Sequence, residues 1–121
     1  MPVLDASAVL ALILKEPGYE NVPLGGTLSS VNFAEVIAKL ASAENAKTLE
    51  ADLALLGIEI KPFNTSEACL AGELRSKTKS LGLSLGDRAC LAVASLLGED
   101  VITADKIWAK LTIDVKIRLI R

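Results

Sequence analysis

Histidine is absent from the 121-residue chain. That removes the Ser-His-Asp triad, the Cys-His pair and every imidazole metal ligand from consideration. Cysteine occurs only at Cys69 and Cys90, too few for a disulfide framework and without CxxC spacing. Both lie in apolar helical patterns and are expected to be buried core thiols. Aromatic residues make up 3%, which argues against a base-stacking platform of the RRM or OB kind. The apolar run Ala6–Leu14 falls short of the about 20 residues that cross a bilayer. Asp5 interrupts the first apolar stretch and no basic region precedes it, so no secretory leader is read there. A soluble, cytoplasmic protein without a membrane partner is expected. An excess of charge of one sign is lacking too. Thirteen Lys and Arg against 15 Asp and Glu give a formal net charge of -2, so any nucleic-acid contact needs a local basic patch.

Hydrophobic residues make up 51% and charged residues 23%, the composition of a folded chain. The length fits one domain spanning 1–121, since domains peak at roughly 100–150 residues, and no linker or repeat divides it. The pattern alternates short apolar runs with helical periodicity. Pro2–Leu4 is strand-like and ends at Asp5. Ser7–Lys15 reads as a buried helix, stopped by Pro17–Gly18. Thr27–Ser29 is a short strand. Asn32–Ala43 is a helix, with Phe33, Val36, Ile37 and Leu40 at 3/4 spacing, and Ala46–Leu56 is another. Ile58–Ile60 is a strand. Thr65–Leu81 reads as one polar helix and Leu85–Leu97 as a nearly continuous apolar one. Val101–Thr103 is a strand, Asp105–Leu111 a short helix, and Ile113–Leu119 an alternating, half-exposed final strand. Strands alternating with helices predict an α/β sandwich around a mainly parallel sheet.

Four acids fall at the ends of these elements. Asp5 follows the first strand and Asp105 follows Val101–Ala104. Glu35 is expected in the first turn of its helix, and Asp87 at the start of the apolar one. Open α/β sheets bind ligands beyond the carboxyl ends of their strands, at a topological switch point. Each acid also has a local explanation. Asp5 and Asp105 suit N-caps, while Asn32-x-x-Glu35 and Ser84-x-x-Asp87 are spaced like capping boxes. Asp87 is the hardest to assign to capping alone, because a buried helix that carries a carboxylate needs a partner for it. If all four converged within about 5 Å, each ionised pair would repel by roughly 3 kcal/mol at an effective dielectric of about 20. Six such pairs exceed the whole stability of a typical domain, about 5–15 kcal/mol. Such a cluster takes up protons or a cation, and an all-oxygen set selects Mg²⁺ or Mn²⁺.

At these residues the sequence resembles the PIN domain family of metal-dependent ribonucleases, and within it the VapC-type toxins of toxin–antitoxin operons. The matching stretches are Val3-Leu4-Asp5-Ala6-Ser7-Ala8, Asn32-Phe33-Ala34-Glu35-Val36, Ser84-Leu85-Gly86-Asp87 running into Cys90–Ala94, and Val101-Ile102-Thr103-Ala104-Asp105. Their order and spacing fit over essentially the whole chain. The resemblance implies a PIN-like three-layer sandwich and a Mg²⁺- or Mn²⁺-dependent endoribonuclease with Asp5, Glu35, Asp87 and Asp105 as its acidic quartet. Ser7 and Thr103 occupy accessory hydroxyl positions. No further acid follows Asp105, which leaves one or two metal ions open. Arg88 is a candidate for pairing with a site carboxylate, contacting phosphate, or tying down a neighbouring loop. Either Asp5 or Asp105 would orient the attacking water. Arg75, Lys77 and Lys79, or Lys106 and Lys110, would contact RNA.

The resemblance further implies a homodimer, for which Leu49, Leu53 and Leu56 offer a repeating apolar stripe. It also implies an antitoxin partner that inserts a basic residue near the acids. The Ala6–Leu14 and Asn32–Leu40 helices would offer that partner an apolar strip. The toxin of a toxin–antitoxin pair, a housekeeping RNA-processing nuclease and an inert PIN-fold interaction scaffold remain open at this point. A receiver domain is excluded by Asp5 standing alone where an acidic pair is needed. A haloacid-dehalogenase phosphatase is excluded by the missing second acid in Asp5-Ala6-Ser7. A Rossmann or flavodoxin-like binder is excluded because Asp5–Leu10 contains no glycine.

Overall fold

The structure, a computed structural model, describes residues 1–40 and 46–121. In chain order its elements are β1 (Val3–Leu4), α1 (Ala6–Leu14), β2 (Gly26–Ser29), α2 (Ser30–Lys39), α3 (Ala46–Leu55), β3 (Ile58–Lys61), α4 (Thr65–Glu73), α5 (Arg75–Thr78), α6 (Leu85–Leu97), β4 (Val101–Thr103) and β5 (Ile117–Leu119). Single 3₁₀ turns lie at Tyr19–Asn21, Lys79–Leu81 and Lys106–Lys110. The five strands form one all-parallel sheet in the order β3-β2-β1-β4-β5. The chain builds outward from β1 to β3, then crosses back to place β4 on the other flank of β1. The carboxyl ends of β1 and β4 therefore bracket the switch point, where parallel sheets leave a crevice.

The strands are short, yet their side chains separate cleanly into two layers. Leu4, Leu28, Ile58 and Ile102 pack with α1, α2 and α3. Val3 and Val101 face the opposite way, onto Leu91, Val93, Ala71 and Trp108. Helix α6 can lie close to the sheet because its buried face is mostly small: Ala89, Cys90, Ala92 and Ala94 are fully covered. Backbone bonds beyond the strands extend the stitching, from Val3 N–H to Asp100 O (2.8 Å) and from Asp5 N–H to Ile102 O (3.1 Å). The three-layer α/β sandwich expected from the sequence is the one observed. No helix among the described residues is long and apolar enough to cross a membrane.

Several local expectations are corrected. Helix α2 begins at Ser30, because Ser29 at the end of β2 accepts a bond from Val31 N–H on Oγ (3.3 Å) and caps it. Asn32 is thus interior and Glu35 lies in the second turn, not the first. The end of the expected Asn32–Ala43 helix lies outside the described residues. Thr65–Leu81 is broken after Glu73. Buried Thr78 donates its hydroxyl to Leu74 O (2.9 Å), and the same carbonyl accepts from Lys77 and Thr78 N–H. Such back-bonding bends helices. The final strand is only Ile117–Leu119, since the three residues of β4 can pair no more. The alternation of burial nevertheless persists back to Ile113. Cys69 is exposed; Cys90 is buried.

Leu49 and Leu53 face the core, with Leu56 packed against it. They cannot serve as a dimer stripe. The exposed leucine of α3 is Leu55, at 87%. Leu53→Ala should lower stability by about 2–5 kcal/mol and Leu55→Ala by no more than about 0.5 kcal/mol, read from urea denaturation. Equal effects would reverse the assignment of the two faces.

Candidate active site at the carboxyl edge of the sheet

Asp5 leaves β1 at the switch point with 4% of its surface exposed. Its carboxylate does two jobs. Oδ1 accepts from Ala8 N–H (2.8 Å) and caps α1. Ser7 Oγ donates toward both oxygens (2.7 and 2.9 Å), and Thr103 Oγ1 donates to Oδ2 (2.6 Å). Ser7 Oγ in turn accepts from Ala104 N–H (2.9 Å), and Thr103 Oγ1 accepts from Asp105 N–H (3.0 Å). The two expected accessory hydroxyls thus both lie on Asp5 and tie the end of β1 to the end of β4.

Glu35, half-buried on α2, accepts on Oε1 from Asn32 Nδ2 (2.7 Å). The same nitrogen donates to Gly86 O on α6 (3.0 Å). The Glu35 carboxylate lies against Gly86, the residue before Asp87. Asp87 forms a true capping box, with Oδ2 accepting from Ser84 N–H (2.9 Å) and its own N–H donating to Ser84 Oγ (3.1 Å). The charges of Asp5, Asp87 and Glu35 meet at Cys90. Burial and then those charges push its thiol well above the usual value, so it stays neutral. Asp105 stands apart. It is exposed, and its Oδ1 caps the turn after β4 by accepting from Ile107 N–H (3.0 Å). Among the described residues no group of three Asp, Glu or Cys side chains is arranged to hold a metal ion as it stands.

The basic candidates divide by surroundings. Arg88 donates from Nη1 to Ala71 O on α4 (2.9 Å). It forms no ion pair with a site acid among the described residues, and it ties down a helix rather than a loop. Lys106 and Lys110 are exposed in the turn that Asp105 caps. Arg75, Lys77 and Lys79 are exposed along α5 and the following turn. Lys77 borders an apolar cavity of about 110 Å³ between α4, α6 and Ile113–Val115. The residues that sequence reasoning missed are Asn32 and Gly86. Asn32 carries a readable signal, because it lies one turn before Val36 on a buried stripe where an amide needs a partner.

Burial pushes the Asp5 carboxyl up to about 6 against the pull of bonds from Thr103, Ala8 and Ser7, and the Asp87 charge adds to the rise. A folded-state value above the unfolded one means that the native state holds the extra proton. Asp5 therefore contributes fully below about pH 4, and that contribution is lost as pH rises through 6. Two units correspond to roughly 3 kcal/mol. Without metal, Asp5→Asn should stabilise the fold at pH 8 by about 1–3 kcal/mol, the gain shrinking toward pH 4.5. Urea denaturation in EDTA across that range checks it; a gain independent of pH would contradict the assignment.

The PIN domain family model matches residues 3–113. No curated protein sequence matches the chain. Among solved structures, a toxin–antitoxin complex from Klebsiella pneumoniae superposes with a TM-score of 0.78 at 19% identity, covering 100% of this chain and 98% of the other. VapBC2 from Rickettsia felis, bound to a DNA fragment from its promoter, gives 0.72 at 20% identity, with 95% of each chain covered. VapC20 of Mycobacterium tuberculosis, a sarcin-ricin-loop-cleaving toxin, gives 0.70 at 17%, covering 93% of this chain and 97% of that one. The family match runs from β1 past the last of the four acids, through the strand ends that carry Asp5, Thr103 and Asp105, and the chain belongs to the PIN domain family.

Proposed function

We propose that the chain is a divalent-metal-dependent endoribonuclease and the toxin of a toxin–antitoxin pair. The observation that carries this reading is Asp5, a buried carboxylate at the β1–β4 switch. It is fixed by three donors and raised to about 6 by burial. A carboxylate kept at that cost, with the Asp87 charge in its field and Glu35 joining both at Cys90, fits a compensating cation. The donors are all oxygen and the nearby Cys90 thiol is held neutral, which suits a hard ion, Mg²⁺ or Mn²⁺. Asp5, Glu35 and Asp87 would hold it, with Asp105 joining from the exposed rim. When bound, such an ion acidifies a water and offsets charge on the scissile phosphate. The fold-level likeness to a toxin–antitoxin complex and to a sarcin-ricin-loop-cleaving toxin supports the toxin assignment.

The chain's own residues supply the rest. Ser7 and Thr103 lock the rotamer of Asp5, so its oxygens need no reorganisation when substrate arrives. Asp5 or Asp105 orients the attacking water. Lys106 and Lys110, in the turn that follows Asp105, are better placed for the RNA backbone than Arg75, Lys77 and Lys79. The acids would attract an arginine or lysine from an antitoxin, with α1 and α2 supplying apolar surface beside it. A homodimer, if formed, uses surface other than Leu49, Leu53 and Leu56.

The purified protein should cleave RNA in Mg²⁺ or Mn²⁺ and stop in EDTA. Asp5→Asn should lose at least about a hundredfold in rate while its circular dichroism is unchanged. Metal-independent cleavage, or full activity in Asp5→Asn, would overturn the reading. Inhibition by a bound antitoxin should weaken as Mn²⁺ rises. It should also weaken when the partner's inserted arginine is replaced by alanine.

A further inference from the structure

We propose that Asn32 and Gly86 are positioning residues that together form a seat for the Glu35 carboxylate, an inference that rests on reading the acids as metal ligands. Asn32 is 1% exposed, and its Nδ2 divides its hydrogens between Glu35 Oε1 (2.7 Å) on its own helix and Gly86 O (3.0 Å) on α6. The amide can take only this orientation. Turned over, its oxygen would face two acceptors. The orientation leaves Oδ1 buried without a partner among the described residues. A contact needed only to join α2 to α6 would use an apolar side chain and avoid that loss.

Gly86 completes the seat by what it lacks. It is the second residue of α6, and its backbone needs no glycine, since its φ is not positive. A Cβ at this position would stand 2.5 Å from Glu35 Oε1 and 2.6 Å from both Cδ and Oε2. Gly72, in the last turn of α4, would meet nothing within 4 Å. Glycine is a poor helix former, and at position 86 it is the space that matters. The Glu35 carboxylate rests on the backbone one residue before Asp87. The Asn32 amide holds one of its oxygens there, which sets the spacing of these two acids across the α2–α6 contact.

Gly86→Ala separates this seat from a simple helix tether. It leaves the Gly86 carbonyl, and hence the Asn32 bond, in place. The atoms in the way are the far end of a flexible side chain, so the fold survives and only the carboxylate moves. Calorimetric Mn²⁺ titration of wild type, Gly86→Ala, Glu35→Asp and the double variant tests it. Gly86→Ala should unfold in EDTA at the same temperature as wild type or higher. Its Mn²⁺ binding should be about 10–100-fold weaker. Glu35→Asp draws the carboxylate back by one methylene, so in the Gly86→Ala background it should cost much less than in wild type. Wild-type affinity in Gly86→Ala, or losses that simply multiply, would overturn the seat. If wild type binds no Mn²⁺, the metal reading falls and the seat is judged by NMR. The Asn32 side-chain amide resonances should move in Glu35→Gln and in Gly86→Ala, and resonances unmoved by both would overturn the seat on its own.

Discussion

The bond from Thr103 Oγ1 to Asp5 Oδ2 joins residues 98 positions apart, and both the shape of the crevice and the state of its central acid depend on it. Thr103 ends β4 and Asp5 follows β1, the two strands between which the sheet order reverses. Ser7 adds a second link through Ala104 N–H. The same carboxylate starts α1. One buried acid therefore caps a helix, clamps two strands and offers charge to the crevice. Its high burial is tolerable because three donors already point at it, and its raised proton affinity is what remains uncompensated.

This overlap explains why capping and function are not competing readings here. Asp5 and Asp105 cap the elements that follow them, and Asp87 completes the capping box that Ser84 opens. A helix or turn that starts at the carboxyl edge of a parallel sheet places its first acid at the crevice by construction, and its amide dipoles help to hold the negative charge. Glu35 is the exception. It caps nothing, lies one turn deeper, and depends on a side chain and a neighbouring helix for its place.

What the sequence disclosed follows the same division. The strand ends and the acids on them were legible, because apolar runs terminate sharply at Asp5 and Ala104–Asp105. The apolar run of α6 was legible for its length. Asn32 was legible only in part: its place on a buried stripe asks for a partner, but Asn32-x-x-Glu35 has capping-box spacing, and it is Ser29, three residues upstream, that takes the cap. The break after Glu73 was hidden because a threonine hydroxyl bonding backward leaves no periodic mark. Leu49, Leu53 and Leu56 repeat identically whether a stripe faces a core or a partner, and only the packing of α3 on β3 and its core decides it. The contact between Glu35 and Gly86 joins residues 51 apart in number (86 − 35), beyond the reach of any local pattern.

The central position of β1 has a consequence for how the protein is born. β1 is synthesised well before β4, one of its two neighbours, whose Thr103 lies 98 positions after Asp5. Until Val101–Thr103 has been synthesised, Asp5 has no Thr103 to hold it and the crevice has one wall. Long-range parallel pairing of this kind forms late and slowly. A chain whose translation has not yet reached β4 thus carries Asp5, Glu35 and Asp87 without the scaffold that aims them, and the site is assembled only once Val101–Thr103 have been made.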